Sequence, residues 1–261
     1  MSWGNLMQLS PFDVLATYQP DYSASNGVNT QTDPTGNVAL GSKGFTTDGR
    51  AFRLCVLPTT GTTLAACKLI QGPAQTSAYH LGTVSAQNIG DTSITYTSSG
   101  AAMTVVANYF AGGFISVVTG TGSIQQLQIA GNGAVTSSAT IVLQLQDPIV
   151  IATAATATAE LYQNQFSAPI VTPGSSLTNS VIGVPMVGVT VSTTSPTYFW
   201  AQTGGFATVL DQGTTGIGLG GSNGSVAGSM AVVAATTPQL AQALEAGADT
   251  LYTLWDLQIS N

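Results

Sequence analysis

One histidine, two cysteines, 11 carboxylates and four Lys or Arg side chains are what the chain offers for chemistry. His80 has Tyr79 and Asp91 near it in sequence but no Cys, His or acidic pair at ligand spacing. It therefore reads as a packed or exposed side chain rather than a metal ligand or a general base. Residues 216–221, GIGLGG, match the spacing G-x-G-x-x-G. A dinucleotide site needs those glycines to open a helix after a buried parallel strand, with an acid about 20 residues further on. Here Ser222-Asn223-Gly224-Ser225 follows, which reads as loop. The last lysine is Lys68, so a Walker A lysine is missing. One histidine and no nucleophile elbow leave no Ser-His-Asp set. The carboxylates are scattered. Asp147, Asp211 and Asp256 each fall at the end or edge of an expected strand, where turn and capping roles are the default, and none lies in an aromatic-rich segment of the kind that lines a sugar cleft. Cys55 and Cys67 share one early segment. A disulfide between them is open at this level, although a lone pair in a chain read as lacking a leader is more often two buried thiols. The sequence thus predicts no catalytic residue, no cofactor and no metal.

Composition says what kind of surface carries so little chemistry. Charged residues make up 6% of the 261 positions, with a formal net charge of −7; a soluble domain usually carries about 25%. With 44% hydrophobic residues the chain has enough apolar surface to fold, unlike charge-rich disordered segments. Its exterior must be made polar by Thr, Ser, Asn, Gln and Gly. Such a surface suits packing against other protein subunits, because burying hydroxyls and amides costs less than burying unpaired charges. It does not suit nucleic acid, since four cations supply almost no counterion release, nor an anionic membrane. No apolar run reaches the length of a membrane-spanning helix. The start, MSWGNLMQLSPFDV, shows neither a basic nor a continuous apolar region, so no signal peptide is expected, and the expected place of synthesis is a cytoplasm.

The elements expected to hold this surface together are strands. Residues 102–147 read as strand after strand with glycine-rich turns between. Residues 123–129 alternate, with Ile124, Leu127 and Ile129 among three Gln; Asn132-Gly133 is a turn pair; and residues 140–145 alternate again, with Ile141, Leu143 and Leu145 on one face. Short strands at this spacing indicate antiparallel barrel or sandwich modules. Residues 1–38 read as an extended N-terminal arm, interrupted by Pro11, Pro20 and Pro34. A β domain over residues 39–168 is expected to hold all four cations (Lys43, Arg50, Arg53 and Lys68), with Asp48 as a local partner. A second β module over residues 169–261 contains strictly alternating Val187, Val189 and Val191, a turn at Gly204-Gly205 and a glycine-rich loop over residues 211–229. Thr237-Pro238 has the form of a helix start and Gly247 of a stop, predicting one short C-terminal helix over residues 238–246. The expected class is all-β.

Three phrases carry a resemblance: residues 198–210 (YFWAQTGGFATVL), 183–189 (GVPMVGV) and 111–117 (AGGFISV). Through them, and in texture from about residue 41 to residue 259, the chain resembles the capsid decoration (cement) proteins of tailed bacteriophages, especially the larger ones of cyanophages and other aquatic phages. The resemblance implies a β-barrel or β-tulip-like homotrimer made in a bacterial cytoplasm. It would sit on the outer surface of the virion capsid, contact the major capsid protein and stabilise the expanded head. It supplies no catalytic residue to carry over. Within that expectation, Trp3, Phe12, Tyr18 and Tyr22 of the arm are the candidate contacts to the capsid or to a neighbouring subunit. A second reading is a phage tail or head-fibre β protein that binds host surface glycan, with Tyr198 or Trp200 exposed in glycine-rich loops. A third, a depolymerase, needs a carboxylate pair in a cleft.

Overall fold

The structure, a computed structural model, describes residues 7–8, 17–18, 39–100, 102–174, 176–234 and 238–259. Among them, every regular element except one 3₁₀ turn at Ser77–Tyr79 is a strand. Two units share the chain: residues 1–74 together with 165–261, and residues 75–164 inserted between them. The first passage through the larger unit carries β1 (Met7–Gln8), β2 (Thr17–Tyr18), β3 (Lys43–Phe45), β4 (Ala51–Leu57) and β5 (Ile70–Gln71). The inserted unit holds β6 (Gly82–Val84), β7 (Ser93–Thr97), β8 (Met103–Val105), β9 (Phe114–Thr119), β10 (Gln125–Asn132), β11 (Val135–Ser138), β12 (Thr140–Leu145) and β13 (Thr158–Tyr162). The chain returns through β14 (Ile170–Val171), β15 (Val181–Pro185), β16 (Thr197–Gln212), β17 (Gly220–Asn223), β18 (Met230–Val232), β19 (Ala241–Ala243) and β20 (Tyr252–Gln258). The expected 39–168 domain is therefore divided: β3, β4 and β5 belong with the later strands, because β4 pairs along β16 and β5 pairs with β14 and β15.

The inserted unit is a closed barrel in the order β10-β12-β7-β6-β13-β9. Every neighbouring pair is antiparallel. Closure leaves these six strands no free edge. Binary patterning sets the faces: in β12, Ile141, Leu143 and Leu145 are buried while Thr140, Val142 and Gln144 face out, the period of two that a half-buried strand requires. Ile94 and Tyr96 of β7, Ile115 and Val117 of β9, Leu127 and Ile129 of β10 and Leu161 of β13 fill the interior with them. Gly82 gives β6 room to cross the Tyr96 ring, where a Cβ would collide. Tyr96 Oη in turn donates to the Ala78 carbonyl at 3.1 Å and accepts from the Gly82 N–H at 3.2 Å. The alternating directions put three connections, residues 85–92, 120–124 and 146–157, at one end of the barrel. The chain comes into the unit and leaves it at the opposite end, where β8 and β11 form a separate two-stranded ribbon.

The larger unit is organised on β16. Its first half pairs antiparallel with β4 on one flank and with β15 and β2 on the other. Its second half pairs with β20, and its end pairs parallel with β18. From β18 the pairing passes through β17, β19 and β20 back to β16, a second closed ring. Gly204-Gly205, expected as a turn, instead lies inside this single strand, next to a register shift between Gln202 and Gly204 against β4. Gly205 takes φ +76°, and the buried Gln202 amide donates to the carbonyls of Gly204, Gly205 and Phe206 at 3.1, 3.3 and 2.9 Å. The expected helix over residues 238–246 is not formed: β19 occupies its middle. The N–H groups of Leu240, Ala243 and Leu244 bond across to the carbonyls of Gly221, Leu219 and Leu254. Ala241 and Ala243 are buried with Gln242 exposed between them, so sheet partners on both sides outweigh local helix signals. Gly247, expected as a helix stop, is small because a Cβ there would strike the Asp211 carboxylate.

Candidate docking surface

At the barrel end the three connections are stitched into one surface. Gly90 N–H donates to the Ile149 carbonyl and Ile149 N–H to the Asp91 carbonyl, both at 2.9 Å. Gln87 and Thr153 exchange backbone bonds at 3.2 and 3.0 Å, and Ala154 N–H reaches the Thr121 carbonyl at 3.3 Å. Gln125, 5% exposed, clips the 120–124 turn to the 146–157 connection: its Nε2 donates to the Gly122 carbonyl at 2.9 Å and to the Ile151 carbonyl at 2.7 Å.

This frame displays four large apolar side chains among exposed polar ones such as Asn88, Thr121 and Gln146. Ile89, Ile124, Val150 and Ile151 are 71%, 94%, 63% and 45% exposed. Ile124 has φ +67°, the left-handed region that a β-branched side chain disfavours. Residues 75–164 contain no Lys or Arg, and their acids are Asp91, Asp147 and Glu160. Asp91 and Asp147 belong to the connections at this end; Asp91 accepts from the Asn88 N–H at 2.8 Å, and Asp147 is exposed. Scattered single apolar residues on a surface are ordinary, whereas several grouped on hydrogen-bonded loops mark an interaction site. The sequence held one sign of this. Ile124 falls out of phase with Leu127 and Ile129, so all three cannot share a strand face. Ile89, Val150 and Ile151 gave no such sign, because only the barrel order brings their loops together.

The residues singled out for chemistry are divided between the two units, His80, Asp91 and Asp147 in the barrel and Cys55, Cys67, Asp211 and Asp256 in the larger unit. His80 meets Glu160, which is 80 positions away, with Nδ1 2.6 Å from Oε2. Glu160 Oε1 accepts from the Leu81 N–H at 3.2 Å. Tyr79 instead packs edge-on against Phe110, with ring centroids 5.1 Å apart, and burial pushes its hydroxyl pKa up. Asp91 lies among the loops at the barrel end. Asp147 belongs to the barrel, and Asp211 and Asp256 belong to the larger unit. Asp211 is buried at the end of β16, where it accepts from the Gln212 N–H at 2.8 Å, Thr215 Oγ1 at 2.9 Å and Thr253 Oγ1 at 3.1 Å, a structural brace. Asp256 faces Phe206 across β20 and β16. Among the described residues no group of three or more His, Cys, Asp or Glu side chains is placed to hold a metal ion. Cys55 and Cys67 are free thiols, the first buried and the second half-buried, and burial raises the pKa of both.

Gly220 and Gly221 of the G-x-G-x-x-G stretch lie in β17, and a Cβ on Gly221 would collide with Trp255 and Met230. Gly221 thus makes room for a core tryptophan. Tyr198 and Trp200, the expected glycan contacts, are 2% and 5% exposed, because they lie in β16 rather than in a loop and belong to one core cluster with Phe52, Leu54, Ile70 and Ile182. Arg50 pairs with Asp48 at 2.8 Å, as local pairing suggested. Arg53 donates to the Gly41 carbonyl at 2.6 Å and stacks over Phe166. Trp3, Phe12 and Tyr22 lie outside the described residues. Tyr18 is described in its backbone alone, as the partner of Tyr198 in the β2–β16 ladder. Comparison of the chain with protein-family models, with curated proteins and with solved structures gave no match.

Proposed function

We propose that the chain is a non-catalytic structural protein of a phage virion, a decoration protein that binds the outside of the major capsid protein lattice as a homotrimer and stabilises the expanded head. The observation that supports this reading is the barrel end, where Ile89, Ile124, Val150 and Ile151 are exposed on loops tied together by backbone and Gln125 hydrogen bonds. Rigid loops with apolar tips lose little freedom when they dock. A surface poor in charge adds little desolvation cost. Repetition over a lattice multiplies modest contacts by avidity.

The test is immunogold or tagged-chain imaging of purified particles. Label at three-fold or quasi-three-fold positions on the head is expected. Label confined to the tail moves the function to host-surface binding, and unlabelled particles overturn both.

A further inference from the structure

We propose that the barrel end binds a shell-protein surface that offers an apolar hollow with a basic rim, and that Ile124 is the side chain seated in that hollow. This rests on the proposed lattice-binding role and adds the surface and the chemistry of recognition. Four β-branched side chains project from loops that close one end of a barrel, opposite the end where the chain comes in and goes out. Such side chains have few rotamers to lose on burial. Ile124 is the most exposed of them at 94% and stands in a backbone conformation unfavourable to its type. A strained residue persists where its surroundings over-determine it. Here the buried Gln125 holds both Gly122 and Ile151 by their carbonyls, which fixes the turn that carries Ile124. Gln125 is thereby a positioning residue for the contact.

Charge selects the occupant. The unit has three acids and no Lys or Arg, and two of those acids, Asp91 and Asp147, belong to the same connections as the apolar tips. A basic rim on the partner complements them. A second copy of the same end would set acid against acid, and an anionic membrane surface would be repelled likewise.

The experiment uses particles assembled in cells that express the tagged full-length chain. Wild type, Ile124→Asn, Ile89→Asn with Ile124→Asn, and Val142→Asn on the outer barrel wall are compared for copies bound per purified particle. Asn tolerates the left-handed conformation, and thermal melts confirm that each variant is folded. A loss of roughly tenfold is expected for Ile124→Asn, in line with an interface anchor, a larger loss for the double variant, and wild-type occupancy for Val142→Asn. A photo-crosslinking residue in place of Ile124 is expected to join a shell-protein peptide that carries Lys or Arg close to the attachment point. Unchanged occupancy of a folded Ile124→Asn overturns the inference while leaving the lattice role intact. So does crosslinking to a second copy or to lipid. Absence of the wild-type chain from particles overturns the lattice role and this inference with it.

Discussion

The side-chain nitrogen of Gln125 lies 2.7 Å from the carbonyl oxygen of Ile151. This one bond joins the start of β10, just after its turn from β9, to the long connection between β12 and β13, and its two residues are 26 positions apart. Gln125 begins β10 and points inward, yet its amide is used to tie down two loops rather than to pack. A buried polar side chain with this geometry rigidifies what it bridges.

Replacing Gln125 by Ala removes the donor to both Gly122 and Ile151 and opens a cavity. A stability loss of about 1–3 kcal/mol is expected, the range for orphaning buried polar groups. Amide hydrogen exchange of residues 120–124 and 149–154 is expected to accelerate more than that of β7 or β12. Gln125→Met, which keeps the length without the amide, should show the same faster exchange with a smaller loss of stability. Uniform exchange over the whole barrel would mean that the clip does not hold these loops.

Asp211 is braced by two hydroxyls and one backbone N–H. Asp211→Asn places an NH₂ group against a hydroxyl or loses an acceptor, with an expected cost of about 1–3 kcal/mol. Thr253→Val removes one of the same bonds. In a double-mutant cycle read by urea unfolding the two changes should couple by about 0.5–3 kcal/mol. Strict additivity would show that the Thr253 bond contributes nothing.

The two thiols provide a chemical test of packing. Cys55 is fully buried and Cys67 half-buried, and burial raises the pKa of each, keeping both in the protonated, unreactive form near neutrality. In the native protein at pH 8, iodoacetamide is expected to modify Cys67 slowly and Cys55 not at all, with two equivalents taken up in denaturant. A mass two units lower without reductant, indicating a disulfide, would contradict the structure.

How much of this was legible depends on how local each cause is. The alternation of Ile141, Leu143 and Leu145 is written in six residues, and the structure places all three inside the barrel. The barrel's closing strands were hidden, because β6 is three residues beginning with Gly82, and β13 emerges from an Ala/Thr run with no clear period. Gly204-Gly205 reads as a turn in any local window. It stays within one strand because Gln202 is buried against three carbonyls and β20 continues the pairing through both glycines. Thr237-Pro238 through Gly247 carries real helix signals, but β17 and β20 stand on either side of Ala241–Ala243 and take its backbone bonds. The proposed docking surface was the least legible part. Its loops are far apart in sequence, and nothing short of strand order says that they meet.

Tyr96 gives the barrel a dependence on alkaline pH. Burial pushes its hydroxyl up to about 12, with Glu160 adding to the rise and the Gly82 N–H opposing it. In the unfolded chain tyrosine titrates near 10. The folded state therefore holds its proton more tightly than the unfolded state. The associated stability is fully present below about pH 10 and falls as pH rises through the folded value. Tyr79 is shifted in the same direction and adds to the slope. Urea midpoints measured from pH 8 to 12 should be flat at first and then decline. Tyr96→Phe should be less stable at pH 8, since the Ala78 carbonyl loses its partner, and should decline less steeply. A wild-type midpoint that stays level through pH 12 would mean that Tyr96 is not protected from ionisation by the fold.

Ile124 sets stability against binding. Its φ of +67° costs a β-branched residue about 1–2 kcal/mol relative to favoured backbone, and with 94% exposure its side chain recovers almost none of that by packing within the barrel. Asn accepts the same conformation readily. Ile124→Asn is therefore expected to stabilise the isolated protein, by about 1 kcal/mol or a few degrees in melting temperature, while lowering particle binding. At Ile141, which is buried in the barrel, the same exchange should destabilise by several kcal/mol through loss of core packing and burial of an amide. Calorimetry of the two variants separates the roles. A gain at position 124 with a large loss at 141 is the signature of a residue kept for what it meets outside the fold. A loss at both positions would show that Ile124 is held for the fold itself.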